Sequence, residues 1–239
     1  MSPSDAQLGV PRLHLRQVDS TNVRARELAG AGAPHGTLVT AGVQTAGRGR
    51  QGRTWSAPAG SALLASLVVR EPTRLLSLAA GVAVAAVAER LDTAGRTAAV
   101  KWPNDVLLDG GKVAGILVEG RPQEDWAVLG IGLNVAVELD TLGAEIGARA
   151  ATLGLSVREM ERALAELLAE LRRVFALEPE QVLAEMRGRD ALNGHPVSWA
   201  HGAGIGAGID AEGRLLVRTG DETIALDAGE VHLEPAGRG

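Results

Sequence analysis

The chain has 239 residues, 46% of them apolar but only 2% aromatic, and a formal net charge of −5. That length suits one large domain and a small one around an aliphatic core, while the negative balance argues against a global pull toward nucleic acid. With no cysteine, disulfides, thiolate metal sites and a cysteine nucleophile are excluded, and the chain fits a reducing compartment.

The first thirteen residues lack a basic segment followed by an apolar one, so no signal peptide is expected. Residues 12–18 alternate like a strand. Ser20 or Thr21 then starts a helix to about Leu28. A turn over 30–36 leads to a strand at 37–43. Residues 45–61 are rich in Gly, Arg, Ser and Pro and read as a loop. Residues 62–69 form a buried strand. An almost uniformly apolar helix follows over about 74–92, which predicts a central position. Its most apolar stretch, Leu75 to Ala88, is shorter than the roughly 20 residues a membrane span needs. Residues 97–101 make a strand halted by Pro103. Strands at 105–108 and 112–119 flank Asp109-Gly110-Gly111, a tight-turn signal that predicts a hairpin. Residues 126–135 form another strand.

Ser156 and Glu159 match a capping box that opens a helix to about Phe175, with Met160, Leu164, Leu167, Leu168, Leu171 and Val174 on one face. A short helix spans about 179–187. Beyond Arg189 come short alternating segments (PVSWA, GIGAGID, RLLVRT, TIALD and VHLE), the pattern of a small β barrel or sandwich. We therefore divide the chain into residues 1–188 and 189–239.

Four stretches carry chemistry. In Gly47-Arg-Gly-Arg-Gln-Gly-Arg-Thr-Trp55, glycines let backbone N–H groups turn toward an anion. Arg48, Arg50 and Arg53 add permanent charge suited to phosphate or carboxylate. Such a segment is expected to be mobile when empty and to order around its ligand. Gly47, Gly49 and Gly52 also fit G-x-G-x-x-G, but Pro58, Gly60 and a strand follow where a dinucleotide fold needs a helix. The phosphate-loop pattern fails at Arg53, which stands where lysine belongs. A solvated basic loop remains open. In Lys101-Trp-Pro-Asn-Asp105, Pro103 ends a strand, and Asn104 and Asp105 can present polar groups to a ligand. The same stretch continues with Gly111-Lys-Val-Ala-Gly-Ile-Leu-Val-Glu119, where Lys112 is either an exposed hairpin lysine or a cation aimed into a site. Ser20-Thr-Asn22 caps a helix or contacts a ligand. The glycines of Gly130-Ile-Gly-Leu-Asn134 imply close approach by a ligand or a packed helix. The five histidines are scattered and read as structural or surface residues; no metal site and no nucleophile elbow is found.

In this order the five motifs resemble biotin protein ligases over about residues 12–190, with a weaker match beyond. The resemblance implies an α+β fold: a mixed β-sheet flanked by helices, like the class II synthetase catalytic domain, followed by an SH3-like β-barrel. It implies that biotin is activated by ATP as biotinyl-5′-AMP, with Mg2+ assisting, and passed to a lysine of the biotin carboxyl carrier domain of acetyl-CoA carboxylase or a related acyl-CoA carboxylase. Ser20, Thr21, Asn22, Gln44, Gly47, Arg48, Lys112, Gly115 and Gly132 would contact biotin. Arg48, Gly49, Arg50, Arg53, Trp55, Asn104, Lys112 and Asn134 would contact the nucleotide, with Lys112, Arg48 and Arg50 catalytic. Too few residues precede Ser20 for a helix-turn-helix domain, so no DNA and no membrane partner is expected. A cytoplasmic monomer or weak homodimer fits. A lipoate ligase, or a noncatalytic ligand sensor, is the competing reading.

Overall fold

The chain opens on a βαβ crossover. Strand β1 (Arg12–Leu15) passes through helix α1 (Thr21–Gly30) into β2 (Leu38–Ala41), and the helix lets the two strands pair in parallel. Among the described residues every other pairing between strands of the large sheet is antiparallel. Strand β3 (Ala62–Arg70) lies beside β2, and helix α2 (Leu76–Leu91) then carries the chain to the far edge. There β4 (Ala98–Lys101), β5 (Asp105–Leu108) and β6 (Gly111–Gly120) form a meander, and β7 (Trp126–Asn134) inserts between β6 and β3. The sheet order is β1-β2-β3-β7-β6-β5-β4. The computed structural model describes residues 7–120, 123–227 and 229–233. Residues 1–6, part of the segment expected to hold no leader, and Glu234, the end of the last expected strand, lie outside them.

The expected β5–β6 hairpin is present. Asp109 (φ 45) and Gly110 (φ 86) both take positive φ, the signature of a two-residue I′ turn. Helix α2 is buried on nearly all sides, as its composition predicts. It packs on the β4–β6 half of the sheet and against helices α4 (Met160–Phe175) and α5 (Pro179–Arg187). Helix α4 keeps the expected apolar face and adds one buried charge, Glu170. Arg90 at 3.0 Å and Arg173 at 2.7 Å balance that charge, and Arg90 ties α4 to α2. The Ser156 capping box forms, with the Ser156 N–H donating to Glu159 Oε2 at 3.0 Å. Between β7 and that box, a 3-10 turn and the four-residue helix α3 (Ala144–Gly147) occupy a stretch left without elements above.

Residue parity along the strands divides the two faces. Leu63, Ala65, Leu67, Leu129, Ile131 and Leu133 join the core under α2 and α4, whereas Val68 and Val128 pack under α1. Replacing a fully buried leucine of this kind with Ala typically costs roughly 2–5 kcal/mol. On the α1 face, Gly115, Gly130 and Gly132 lie on the central strands β6 and β7, and the side chains of Asn22 and Trp55 take up the space they leave.

Strands β8 (Pro196–Trp199), β9 (Gly202–Ile209), β10 (Leu215–Thr219), β11 (Glu222–Leu226) and β12 (His232–Leu233) form the C-terminal antiparallel sheet, in order β11-β10-β9-β8-β12. Here the expected barrel is corrected: among the described residues β11 and β12 do not pair, so the sheet does not close. The short alternating segments specify a two-faced sheet, and closure would need its edges to meet. This sheet is stitched to the first. Val100 N–H donates to Arg189 O at 2.7 Å, and Ala191 N–H donates to Val100 O at 3.0 Å. Trp102 Nε1–H reaches Gly213 O at 3.0 Å. Val197, Ile209, Leu215, Val217 and Val231 belong to the same core as α2.

Candidate functional site

A cleft opens on the α1 face of the large sheet. Its walls come from all four chemistry-bearing stretches and from Gly229–Val231 of the C-terminal segment. Ser20, Thr21, Asn22, Gln44, Arg48, Gly49, Arg50, Arg53, Trp55, Asn104, Lys112, Gly115 and Gly132 all line it. Gly47 and Asn134 do not. A Cβ at Gly47 would fall 2.8 Å from Gln44 Nε2, so its small size lets the loop cross beside Gln44. Asn134 is buried and donates from Nδ2 to Ala151 O at 2.9 Å.

Ser20 stands at the N-cap position of α1 in extended backbone (φ −153, ψ 135), yet its side chain makes no capping bond. Helix capping therefore does not account for this serine. Thr21 and Asn22 are both 4% exposed. The Thr21 N–H donates to Gln44 Oε1 at 2.7 Å. Asn22 Nδ2 donates to Glu119 Oε2 at 2.8 Å, and Asn22 Oδ1 accepts from Ser66 at 2.6 Å.

The glycine-arginine loop has backbone bonds of its own. Gly49 N–H donates to Arg53 O at 2.7 Å, Trp55 N–H donates to Gly47 O at 3.1 Å, and a 3-10 turn spans Arg50–Gly52 between them. It is a small hairpin folded over the cleft. Its cations have partners from other elements. Arg48 Nη1 donates to Glu119 Oε1 at 2.9 Å, Arg50 Nη1 donates to Asn104 Oδ1 at 3.2 Å, and Arg53 pairs with Glu230. The Trp55 ring lies over the glycine floor. A Cβ at Gly115 would come within 3.0 Å of it, and one at Gly132 within 2.5 Å. The buried indole Nε1–H has no protein partner, leaving a donor in the cleft wall.

Lys112 follows the hairpin turn, as expected, and its side chain is 37% exposed rather than projecting fully into solvent. Its Nζ sits 2.7 Å from Asp105 Oδ1 without hydrogen-bond alignment, and 5.8 Å from the centre of the Trp55 ring. Lys101, which the sequence reading quoted but assigned no role, also faces the cleft. Burial is the main cause lowering its pKa; Asp105 and Glu230 oppose the shift, and Lys112 and Arg53 add to it. Glu119 and Glu230 have no role in the sequence reading either, whereas Asp105 was expected to present a polar group to a ligand, and it lines the cleft. The cleft thus holds a dense set of cations balanced by carboxylates, beside a floor of glycines and an indole. Anionic ligands can exchange with those carboxylates, and a flat apolar group fits the floor.

The sequence model of the Biotin/lipoate A/B protein ligase family matches residues 14–135. The biotin–[acetyl-CoA-carboxylase] ligase of Mycobacterium tuberculosis is 36% identical over 234 residues, covering 91% of this chain and 87% of its own. That of Paracoccus denitrificans is 38% identical, covering 91% and 98%. Among solved structures, the Aquifex aeolicus biotin protein ligase in complex with biotin and ATP superposes with a TM-score of 0.78 at 27% identity, covering 94% of this chain and 99% of that one.

Proposed function

The chain belongs to the biotin/lipoate A/B protein ligase family, and from that premise we propose that it is an ATP-dependent biotin–protein ligase acting on the biotin carboxyl carrier domain of an acyl-CoA carboxylase. One observation carries the reading: the Ser20-Thr-Asn22 turn, the glycine-arginine loop, Lys101–Asp105 and Lys112 border a single cleft. In this reading residues 1–188 are the catalytic domain, and residues 189–239 are an accessory β domain that supplies one wall.

The first step joins two anions. A carboxylate oxygen of biotin attacks the α-phosphorus of ATP, the bond to the bridging oxygen breaks, and pyrophosphate leaves. Lys112 and Arg48 oppose the repulsion and stabilise the charge that develops on the phosphorus oxygens. Both cations leave carboxylate partners, Asp105 and Glu119, to do so. Lys101 faces the polyphosphate, Trp55 stacks beside the adenine, and Asn104 orients Arg50 toward the nucleotide. Among the described residues no cluster of three His, Asp or Glu can cage a metal. A Mg2+ accompanying ATP would need few protein carboxylates and would neutralise part of the polyphosphate charge. The folded loop excludes water from the acyl-adenylate. A carrier lysine amine then attacks the acyl carbon, AMP departs, and the amine gives up a proton.

Incubation with biotin, Mg-ATP and a carrier domain should raise the carrier's mass by one biotinyl group. No ATP-dependent gain overturns the assignment, and a gain only with lipoate moves it within the family.

Two variants probe the loop and the extra lysine. Arg50→Gly removes the pin on Asn104. Biotinyl-adenylate should then escape, and biotin on bystander lysines, read by streptavidin blot, should rise; an unchanged blot removes the retaining role. Lys101 loses its proton at a lower pH than an ordinary lysine. The KM for ATP should therefore climb on the alkaline side at correspondingly lower pH. Lys101→Arg, which stays charged, should abolish that limb while biotin affinity holds; superimposable pH profiles count against the role.

A further inference from the structure

Ser66 is 0% exposed in the middle of a strand, ALLASLVVR, that is otherwise apolar up to its last residue, Arg70. A hydroxyl buried there has to be paired, and its partners link it to the cleft. Ser66 Oγ lies 2.6 Å from Asn22 Oδ1 and 2.8 Å from Thr21 Oγ1. Asn22 Nδ2 faces Glu119, at 2.8 Å. An ionised carboxylate only accepts, so Glu119 holds the Asn22 amide with nitrogen toward itself and oxygen toward Ser66. Ser66 has a single proton, and Asn22 Oδ1 takes it. Ser66 then offers Thr21 only lone pairs. The Thr21 hydroxyl proton has two protein acceptors, Ser66 Oγ at 2.8 Å and Gln44 Oε1 at 3.0 Å. The nearer, Ser66, draws the proton away from the cleft, whereas Gln44 lines the cleft and already accepts the Thr21 N–H.

We propose that Glu119 and Ser66 are positioning residues that set the direction of this relay, so that Thr21 presents an acceptor to the N–H of a cyclic urea. The inference rests on the biotin reading above. Biotin carries such a ring, with N–H donors flanking a carbonyl. A relay running the other way would place a proton against those donors. Glu119 lines no part of the cleft itself and acts through Asn22, while its other oxygen holds Arg48 at 2.9 Å.

The test is calorimetric binding of biotin and of an analogue whose ureido N–H groups are replaced by ring oxygens. Wild type, Ser66→Ala, Ser66→Thr and Glu119→Gln are compared. A glutamine at 119 can donate as well as accept, so it frees the Asn22 amide to flip. Expected are a rise of about tenfold in biotin Kd for Ser66→Ala and Glu119→Gln, equivalent to about 1.4 kcal/mol, and a collapse of the preference for biotin over the analogue. In Ser66→Ala the loss should fall in Kd for biotin and not in turnover at saturating biotin. Ser66→Thr, which keeps the hydroxyl, should restore both affinity and preference. Glu119 is 22% exposed, so Glu119→Gln decides the matter if Ser66→Ala does not fold. Undiminished preference in Glu119→Gln overturns the relay. A wild-type chain that binds no biotin overturns the ligase reading and the relay with it, which is a distinguishable result.

Discussion

Lys112→Ala should cut biotin-dependent ATP–pyrophosphate exchange on the order of 10²–10³-fold and leave the fold standing. The two effects separate because Lys112 has little structural work. Its backbone N–H donates to Arg149 O at 2.8 Å, a bond that any residue except proline keeps. Its side chain pairs with one carboxylate at partial exposure, and such pairs contribute about 0–1 kcal/mol. For a chain of this size that moves the melting temperature by at most roughly 2–4 °C. Catalysis depends on it far more. In the proposed first step a carboxylate and a phosphate approach each other in a cleft partly closed by the loop, where charge is poorly screened. Arg48 alone cannot replace a cation at the far end of β6, because Glu119, which holds it, sits seven positions along the strand. Near-normal exchange in a folded Lys112→Ala chain would mean that Lys112 is only a hairpin lysine paired with Asp105. Circular dichroism on the same sample distinguishes lost chemistry from lost fold.

The parts of this site readable from sequence are those where local chemistry and position coincide. Asp109-Gly110 can hardly be anything but a tight turn, so the placement of Lys112 at a strand's start followed directly. The all-apolar composition of α2 announced its burial. Glycines in β6 and β7 implied close approach, and the structure supplies the approaching groups, Asn22 and Trp55. What stayed hidden depends on pairing between distant segments. Strand alternation does not say which neighbour a strand takes, so the parallel β1–β2 pair and the open C-terminal sheet were not legible. Glu230 reaches Arg53 only through the fold, across a sequence separation of 177 residues. Ser66 did leave a trace, a lone hydroxyl in an apolar run, but nothing local names its partners. Lys101 lies inside a quoted motif without a role, because nothing local shows that the fold buries it beside Asp105 and Glu230. Residues 45–61 read as a loop, and within it the Gly-Arg segment closes a hairpin, since Gly47 and Gly49 allow the two arms to approach closely enough to bond.

Gly130→Ala should be nearly as damaging as loss of Lys112, for a purely steric reason. Gly130 sits on β7 opposite Ser66 on one side and Leu117 on the other. A methyl group there would stand 2.8 Å from Asn22 Cγ and 2.9 Å from Asn22 Nδ2. A surface side chain would rotate away, but Asn22 is held by Glu119 and Ser66 and is 4% exposed. The strain must pass to the start of α1, displacing Ser20 and Thr21 with it. Overpacking of this kind costs typically 1–3 kcal/mol, and a displacement of about 1 Å at a positioning group can cost 10²-fold in rate. We therefore expect adenylation to fall by about that factor, mostly through weaker biotin binding, alongside a lower melting temperature. Gly30→Ala provides the contrast, because a methyl there meets nothing within 4 Å; it should retain full exchange activity. If Gly130→Ala binds biotin as tightly as the parent, the Asn22 amide is free to move, and neither the turn nor the relay behind it can be what shapes the ligand's ring.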